Sequence, residues 1–451
     1  MAGVVVLGGG VTGGAFVAAL RRLDEDVPIT LVERELVGGE CSYWACIPSK
    51  TMLRPLEVAQ RARVTPGAAE VLAGPIDPAP IFAWRDEVAA KDDTSQAEWL
   101  ADLGVELVRG RGEIVEPGRV RVADRELEYD RLLIATGSLP TAPPIAGLED
   151  VPTWTSREAT TATSVPESLV VVGGGAVGCE LAQFYARMGA HVTVVQNGDR
   201  LLARVEPEAG ELLADAFREE GVDVRLGARA QRVEVGNGSL VSLHLEGGEA
   251  VEGQELLVAT GRRPNVEGFG LERLDLRISR GGIDVDERLR AGENVWAAGD
   301  VTGVALFTHV GKYQARVAAA GVAGREARAD YRAIPAAIFT DPQIATVGDV
   351  SGEGTVVSRH GIDAVSRAST YARPKRPGYV KLFADPKRRV LVGAAVVGPE
   401  AGELLGQLTL AVRAEVPVDV LRDTIQPFPT FSEAIFFAAR ALDLDGWDGS
   451  A

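Results

Sequence analysis

A glycine fingerprint that occurs twice, each time between a buried strand and a helix, and a change of texture after residue 332 predict an α/β fold: two Rossmann-like dinucleotide-binding domains and a C-terminal α+β domain. The first copy, Gly8-Gly9-Gly10-Val11-Thr12-Gly13, follows the apolar run Val4–Leu7; the second, Gly173-Gly174-Gly175-Ala176-Val177-Gly178, follows Leu169–Val172. One such fingerprint is weak on its own. The strand before it, the helix after it and a second strand closing the unit give it weight, and this context is present both times.

The chain has 451 residues, enough for several domains whose cores need no disulfide staples. Three cysteines make no extracellular framework, and a thiol pair that cycles belongs in a reducing compartment, so the expected location is cytoplasmic. The start, Met1–Gly8, lacks a basic leader and runs straight into the fingerprint, which favours a buried strand over a signal segment. No apolar run is long enough to span a bilayer. A net charge of −17 repels both nucleic acid and anionic lipid, so neither a nucleic-acid nor a membrane partner is expected.

In chain order, Gly8, Gly10 and Gly13 shape a tight turn that lets the backbone approach a pyrophosphate at the N-terminus of a helix over residues 14–23. The next strand, Ile29–Val32, ends at Glu33, twenty residues past Gly13. A carboxylate there accepts both hydroxyls of an adenine ribose and rejects a 2′-phosphate, which suits FAD.

The stretch Gly38-Gly39-Glu40-Cys41-Ser42-Tyr43-Trp44-Ala45-Cys46-Ile47-Pro48-Ser49-Lys50 follows. Its cysteines stand five apart at the opening of a helix, and Pro48 is expected to distort the helix just beyond them. Helical neighbours on one face stand three or four apart, so bridging Cys41 to Cys46 requires an irregular first turn. Two of three cysteines this close together, one βαβ unit past a nucleotide fingerprint, point to reversible redox chemistry rather than to two small buried side chains. The pattern GGxCxxxxCxPSK, which Gly38 to Lys50 matches, resembles the flavin-dependent pyridine nucleotide-disulfide oxidoreductases, the family of dihydrolipoamide dehydrogenase, glutathione reductase and mercuric reductase. The resemblance runs over essentially the whole chain. It implies FAD, a nicotinamide cofactor, a small-molecule substrate, Gly39 against the flavin site, Cys46 as the thiolate beside the flavin, Cys41 as the thiol that attacks the substrate, and Lys50 close to the ring.

Beyond the cysteines the helical pattern continues over residues 53–64, and residues 84–103 read as one amphipathic helix ended by Gly104. Short β runs at 105–108 and 120–122 precede a buried strand that ends at Thr136-Gly137, where the resembled family closes its first FAD segment. In the second unit Cys179 reads as packing. Glu180 matches the family glutamate that pairs with the cysteine-motif lysine, here Lys50; from the residues alone a surface glutamate fits equally well. Strand 191–195 ends at Gln196-Asn197 with no carboxylate, and Arg200 follows, so NADPH is favoured weakly over NADH. Strands near 222–225 and 241–245 lead to a run closing at Gly261-Arg262, which repeats the first unit's ending. Two complete fingerprints imply two dinucleotides, as electron transfer between a flavin and a nicotinamide requires. Residues 294–300 then return to the first unit. Asp300, after Gly299, matches the family aspartate on the ribityl chain, and His309 with residues 312–320 would lead into the helix beneath the isoalloxazine.

From residue 333 the pattern becomes antiparallel: Tyr379–Phe383 and Val390–Ala394 flank Asp385-Pro386-Lys387-Arg388, a hairpin signal, and Leu404, Leu405, Leu408, Ala411 and Val412 make one helical face. In the resembled family this is the dimerisation domain of a homodimer, and its tail completes the partner's active site. The expected boundaries are 1–150 and 271–332 for FAD, 151–270 for NAD(P) and 333–451 for dimerisation. The family ends in His-Pro-Thr-x-x-Glu, whereas this chain reads Phe428-Pro429-Thr430-Phe431-Ser432-Glu433. Phenylalanine carries no proton, so the acceptor's leaving thiolate is protonated elsewhere or needs no proton; Glu433, the usual partner of that histidine, would be a desolvated acid. The expected function is NAD(P)H-dependent reduction, through FAD and the Cys41–Cys46 disulfide, of a small-molecule disulfide or related acceptor, and one outcome left open is a disulfide with an acidic thiol. A quinone or metal-ion acceptor is an alternative, although the C-terminal cysteine pair of mercuric reductases is absent; so is C–S bond cleavage of the kind in 2-ketopropyl coenzyme M oxidoreductase/carboxylase, where phenylalanine also replaces the histidine. A non-catalytic flavin redox sensor is the reading from a different class.

Overall fold

Val4 and Val6 turn to one face of the strand Gly3–Leu7, Val5 and Leu7 to the other, and all four are buried. The strand therefore lies inside a sheet covered on both sides. It belongs to a computed structural model that describes residues 3–72, 74–236, 240–371 and 378–444. The chain forms two compact units: Met1–Pro48, Trp84–Ala142 and Gly261–Asp330 make the first, and Ser49–Ala83, Pro143–Thr260 and Tyr331–Ala451 the second.

In the first unit five strands run parallel in the order Val295–Ala297, Arg125–Ile134, Gly3–Leu7, Ile29–Glu33, Val105–Arg109, with Val5 opposite both Thr30 and Leu132. Antiparallel strands Gly112–Glu116 and Arg119–Val122 continue from the start of Arg125–Ile134. Helices Val11–Leu23 and Thr308–Val322 cover one face, where Phe16, Val17, Leu20, Ala315, Ala318 and Ala319 pack with Val4, Val6 and Leu31. A Cβ on Gly311 would lie 2.2 Å from the Thr12 hydroxyl oxygen, so the two helices cross too closely there for any side chain.

In the second unit the parallel order is Asp223–Arg225, His191–Val195, Ser168–Val172, Glu255–Val258. A three-stranded antiparallel sheet, Ala230–Val235, Val241–Leu245 and Ala250–Gly253, accompanies it. The C-terminal part is a five-stranded antiparallel sheet in which Tyr379–Asp385 and Val390–Val397 form the expected hairpin. Helix Ala401–Arg413 buries Leu405, Leu408, Ala411 and Val412 against it. Among the described residues no helix is long and apolar enough to cross a membrane.

Three elements differ from expectation. The helix after the first fingerprint starts at Val11, directly out of the glycine turn. The segment 84–103 is two helices, Pro78–Val88 and Thr94–Asp102. At the break, the buried Asp93 accepts the Val37 N–H at 2.6 Å and pairs with Arg109 at 2.7 Å, long-range partners that outweigh helix continuity. Pro48 breaks nothing: the helix starts at Cys46 and runs to Val64, so Pro48 falls in the first turn, where its missing N–H has no intrahelical partner to lose. Residues 49–83 pack in the second unit, where Met52, Leu53, Leu56, Ile81 and Phe82 share a core with Leu181 and Phe184.

The two fingerprints have the same steric logic. A Cβ on Gly13 would sit 2.0 Å from the Gly8 carbonyl oxygen and one on Gly178 2.0 Å from that of Gly173, whereas one on Gly10 or Gly175 would meet nothing. Gly178→Ala should therefore cost about 1–3 kcal/mol through overpacking, lowering the thermal midpoint, while Gly175→Ala should leave that midpoint within error of the parent.

Candidate active site

The cysteines are positioned by backbone contact with the first fingerprint. Gly38 N–H donates to the Gly9 carbonyl at 2.8 Å, and a Cβ on Gly39, at φ +60, would lie 3.0 Å from the Gly10 Cα. Two glycines thus let one segment rest on the other's main chain. Tyr43 donates to the Val37 carbonyl at 2.9 Å and Ser42 to that of Gly38 at 3.2 Å, which ties the short helix Gly39–Tyr43 to the same turn. Cys41 lies on this short helix and Cys46 opens the next, so the irregularity needed between the two sulfurs is a break between helices.

Both cysteines are thiols in the structure. The Thr308 hydroxyl stands 3.5 Å from the Cys46 sulfur and opens helix Thr308–Val322. Cys46 therefore meets the N-terminal ends of two helices, its own and that of Thr308, and both favour negative charge on its sulfur. Hydrogen bonding to Cys46 pushes the Cys41 thiol up, with burial and the Cys46 charge adding to the effect; Thr308 and the positive charge of Lys312 oppose it. Hydrogen bonding to Cys46 and burial thus favour the protonated form of Cys41.

The surrounding residues of the first unit fit a bound FAD. Glu33 is buried, and its carboxylate accepts the Gly9 N–H at 2.7 Å and the Glu35 N–H at 2.7 Å, which fixes it at the strand end beside the glycine turn. The open space off Gly10 leaves room for phosphates at the N-terminus of helix Val11–Leu23. Ser138 donates to Asp300 at 2.6 Å and accepts from Arg262 Nε at 2.8 Å, so Arg262 is bound within the protein and Asp300 is aligned by a residue the sequence did not single out. Burial pushes the Asp300 carboxyl above its ordinary value, against the opposing effects of Ser138 and Arg262. Gly299, at φ +84, donates its N–H to the buried Gln314 at 2.6 Å. Thr136 donates to the Asn265 carbonyl at 2.7 Å, next to Gly137 at φ +74. His309 is exposed and stacks on Phe307 with ring centroids 5.2 Å apart.

In the second unit Lys50 and Glu180 form an ion pair at 2.6 Å. The other Glu180 oxygen accepts the Phe339 N–H at 2.9 Å, and the Lys50 ammonium lies 5.0 Å from the centre of the Phe339 ring. Phe339 was not recognisable from the sequence as part of this cluster. Gln196 accepts the Gly174 N–H at 2.9 Å, the same bond that Glu33 makes with Gly9. A Cβ on Gly173 would lie 2.5 Å from the Ala259 carbonyl, and Gly261, which begins the last segment of the first unit, sits at φ +129. Asn197 is exposed, and Arg200 reaches the Ala203 carbonyl at 3.2 Å. Buried Cys179 donates to the Gly174 carbonyl at 3.4 Å, and burial pushes its thiol up, as suits a packing residue. Phe428 is 73% exposed, and Glu433 opens helix Glu433–Arg440 with its Oε2 buried and without a hydrogen-bond partner. Among the described residues no group of three or more histidine, cysteine or carboxylate side chains is placed to hold a metal ion.

Residues 2–327 match the family model for pyridine nucleotide-disulphide oxidoreductase, and residues 334–439 match that family's dimerisation domain. A mercuric reductase of Acidithiobacillus ferrooxidans is 36% identical over 98% of this chain and 83% of its own length. Dihydrolipoyl dehydrogenase 2 of Haloarcula marismortui is 35% identical over 97% and 96%. Among solved structures, LpdA of Mycobacterium tuberculosis superposes with a TM-score of 0.86 at 30% identity, covering 98% of this chain and 99% of that one. The HOCl-induced flavoprotein disulfide reductase RclA of Escherichia coli gives 0.85 at 25%, covering 98% and 100%.

Because Cys46 pushes the Cys41 thiol up, by hydrogen bonding and by charge, replacing it with a neutral, non-bonding side chain should let Cys41 ionise at lower pH. The midpoint of Cys41 alkylation by iodoacetamide should fall in Cys46→Ala relative to the reduced parent, read by peptide mass spectrometry.

Proposed function

The chain belongs to the pyridine nucleotide-disulphide oxidoreductase family, and from that premise we propose that it uses NADPH to reduce a small disulfide whose thiol leaves as an anion, with Cys41 and Cys46 as the redox pair. The observation that carries this is the seating of Gly38 and Gly39 on Gly9 and Gly10, which fixes both sulfurs beside a dinucleotide turn. Gly8, Gly10, Gly13, Glu33, Thr136, Gly137, Gly299 and Asp300 would hold FAD. Bound there, FAD would supply the two-electron exchange between the nicotinamide and the sulfur pair.

The protein's own residues divide the remaining work. Cys46, at two helix ends, keeps the charge in the reduced pair, and Cys41 meets the acceptor. Lys50, one turn beyond Cys46 on one continuous helix and held by Glu180, supplies a fixed positive charge. For the nicotinamide, Gly173, Gly175 and Gly178 provide the phosphate turn. Gln196 supports NADPH over NADH, because an amide in the place where Glu33 stands in the other unit does not repel a 2′-phosphate, and Arg200 follows nearby. The working assembly is a homodimer in which Phe428, exposed here, covers the partner's site as a wall that carries no proton. Glu433 packs behind that wall. A dithiol that cycles suits the reducing cytoplasm.

Three outcomes are expected. Anaerobic NADPH should raise a long-wavelength absorbance band in the parent that is lost in Cys46→Ser; its survival would refute the role given to Cys46. Phe428→His should raise turnover of unactivated dialkyl disulfides by about tenfold or more while changing that of activated aromatic disulfides little, and no change at any pH would refute the missing-proton account. Saturation kinetics with both nucleotides test the choice of NADPH, which a clear NADH preference would reverse.

A further inference from the structure

The proposed function leaves one chemical need unmet: something must stabilise the acceptor's departing sulfur. The strongest candidate within the first unit is on the helix whose first residue already touches the sulfur pair. Thr308 stands 3.5 Å from the Cys46 sulfur, and Lys312 lies four residues later on that helix, hence on the same face. Its side chain is exposed, and its charge acts on Cys41 in the direction of the thiolate. The helix cannot shift this face away easily, because Gly311 is in close contact with Thr12.

We propose that Lys312 is the cation that faces the anionic sulfur at Cys41, replacing the missing proton donor by charge alone, and that it selects acceptor disulfides which are themselves anionic near sulfur. This rests on the proposed disulfide chemistry. The Cys41 thiolate attacks one sulfur of R–S–S–R′; the Cys41–S bond forms as the S–S bond breaks, and R′–S⁻ leaves with the electron pair. Cys46 thiolate then attacks the Cys41 sulfur, closing the internal disulfide and releasing R–S⁻. The proton that the reduced pair had shared passes to one of the released thiolates, so two electrons leave the pair and two thiols or thiolates appear.

An ammonium is suited to this and unsuited to acid catalysis. With a reference pKa of about 10.4, against about 8.5 for a thiol, it keeps its proton beside a thiolate and lowers the energy of that anion instead. The other titratable groups near the pair are Glu40, next to Cys41 on its short helix, Lys50 one turn past Cys46, and His309 beside Thr308. Of these, Glu40 opposes an anion at Cys41, which makes an added cation more necessary.

The test compares Lys312→Met and Lys312→Arg with the parent, each reduced and read at the Cys41 peptide. In Lys312→Met the pH midpoint of iodoacetamide alkylation should rise, and the ratio of iodoacetate to iodoacetamide rates should fall about fivefold, because only iodoacetate carries the charge that Lys312 attracts. Lys312→Arg should keep both near the parent values. Turnover should show the same selectivity: in Lys312→Met, kcat/KM for 5,5′-dithiobis(2-nitrobenzoate) should drop about fivefold more than for the cationic disulfide cystamine. Unchanged alkylation midpoints and ratios in Lys312→Met would overturn the assignment of Lys312. Alkylation needs no nicotinamide, so a parent that reduces no disulfide while the alkylation result holds would overturn the proposed function and leave Lys312 in place.

Discussion

The contact on which the first unit's chemistry depends is main chain against main chain: Gly38 and Gly39 lying on Gly9 and Gly10. A side chain at Gly39 would be strained by its positive φ and would press on the Gly10 Cα at 3.0 Å. The same turn is closed from within by Gly8 and Gly13, so it can neither yield toward the strand nor toward the helix. The glycine turn and the start of the cysteine segment are consequently joined through glycine backbones rather than through side chains free to change rotamer.

Two helix ends, the Thr308 hydroxyl and Lys312 favour anionic sulfur, while hydrogen bonding to Cys46 and burial hold the Cys41 thiol up. A site of this kind accumulates thiolate without a base. Phe428, in the proposed role, would have no proton to give to what is released. Under the proposed function the two properties would belong together: a chain lacking the imidazole would suit acceptors whose thiols are stable as anions, and cationic groups near the sulfur pair would favour the same acceptors.

The parts legible in the sequence were those with short-range signatures. Both fingerprints, the Glu33 strand end, the cysteine motif and the C-terminal hairpin each lie within a few dozen residues and follow local sterics. What stayed hidden arises from contacts between distant segments. Ser138 joins Arg262 to Asp300, Gln314 holds Gly299, and Phe339 lies over Lys50, each across many residues and none marked by an unusual local pattern. Asp93 shows why the 84–103 helix could not be read correctly: its apolar spacing is helical throughout, but the Val37 N–H and Arg109 capture the carboxylate and break the chain there. Pro48 misled for the opposite reason, since its effect depends on where the helix starts, a boundary fixed by the short helix before it.

The second fingerprint shows how one backbone can serve two ligands. Gly9 and Gly174 each donate a backbone N–H to the side chain at the end of the next strand, at 2.7 Å to Glu33 and 2.9 Å to Gln196. That bond fixes the strand end against the glycine turn and needs only an acceptor oxygen, which carboxylate and amide both provide. Charge is therefore free to vary at this position without cost to the fold. Under the proposed assignment, the carboxylate of the first unit would favour unphosphorylated ribose and the amide of the second would not. Ligand choice could thus change by a single functional group, because the bond to the turn requires an acceptor oxygen and leaves the charge of the group unspecified.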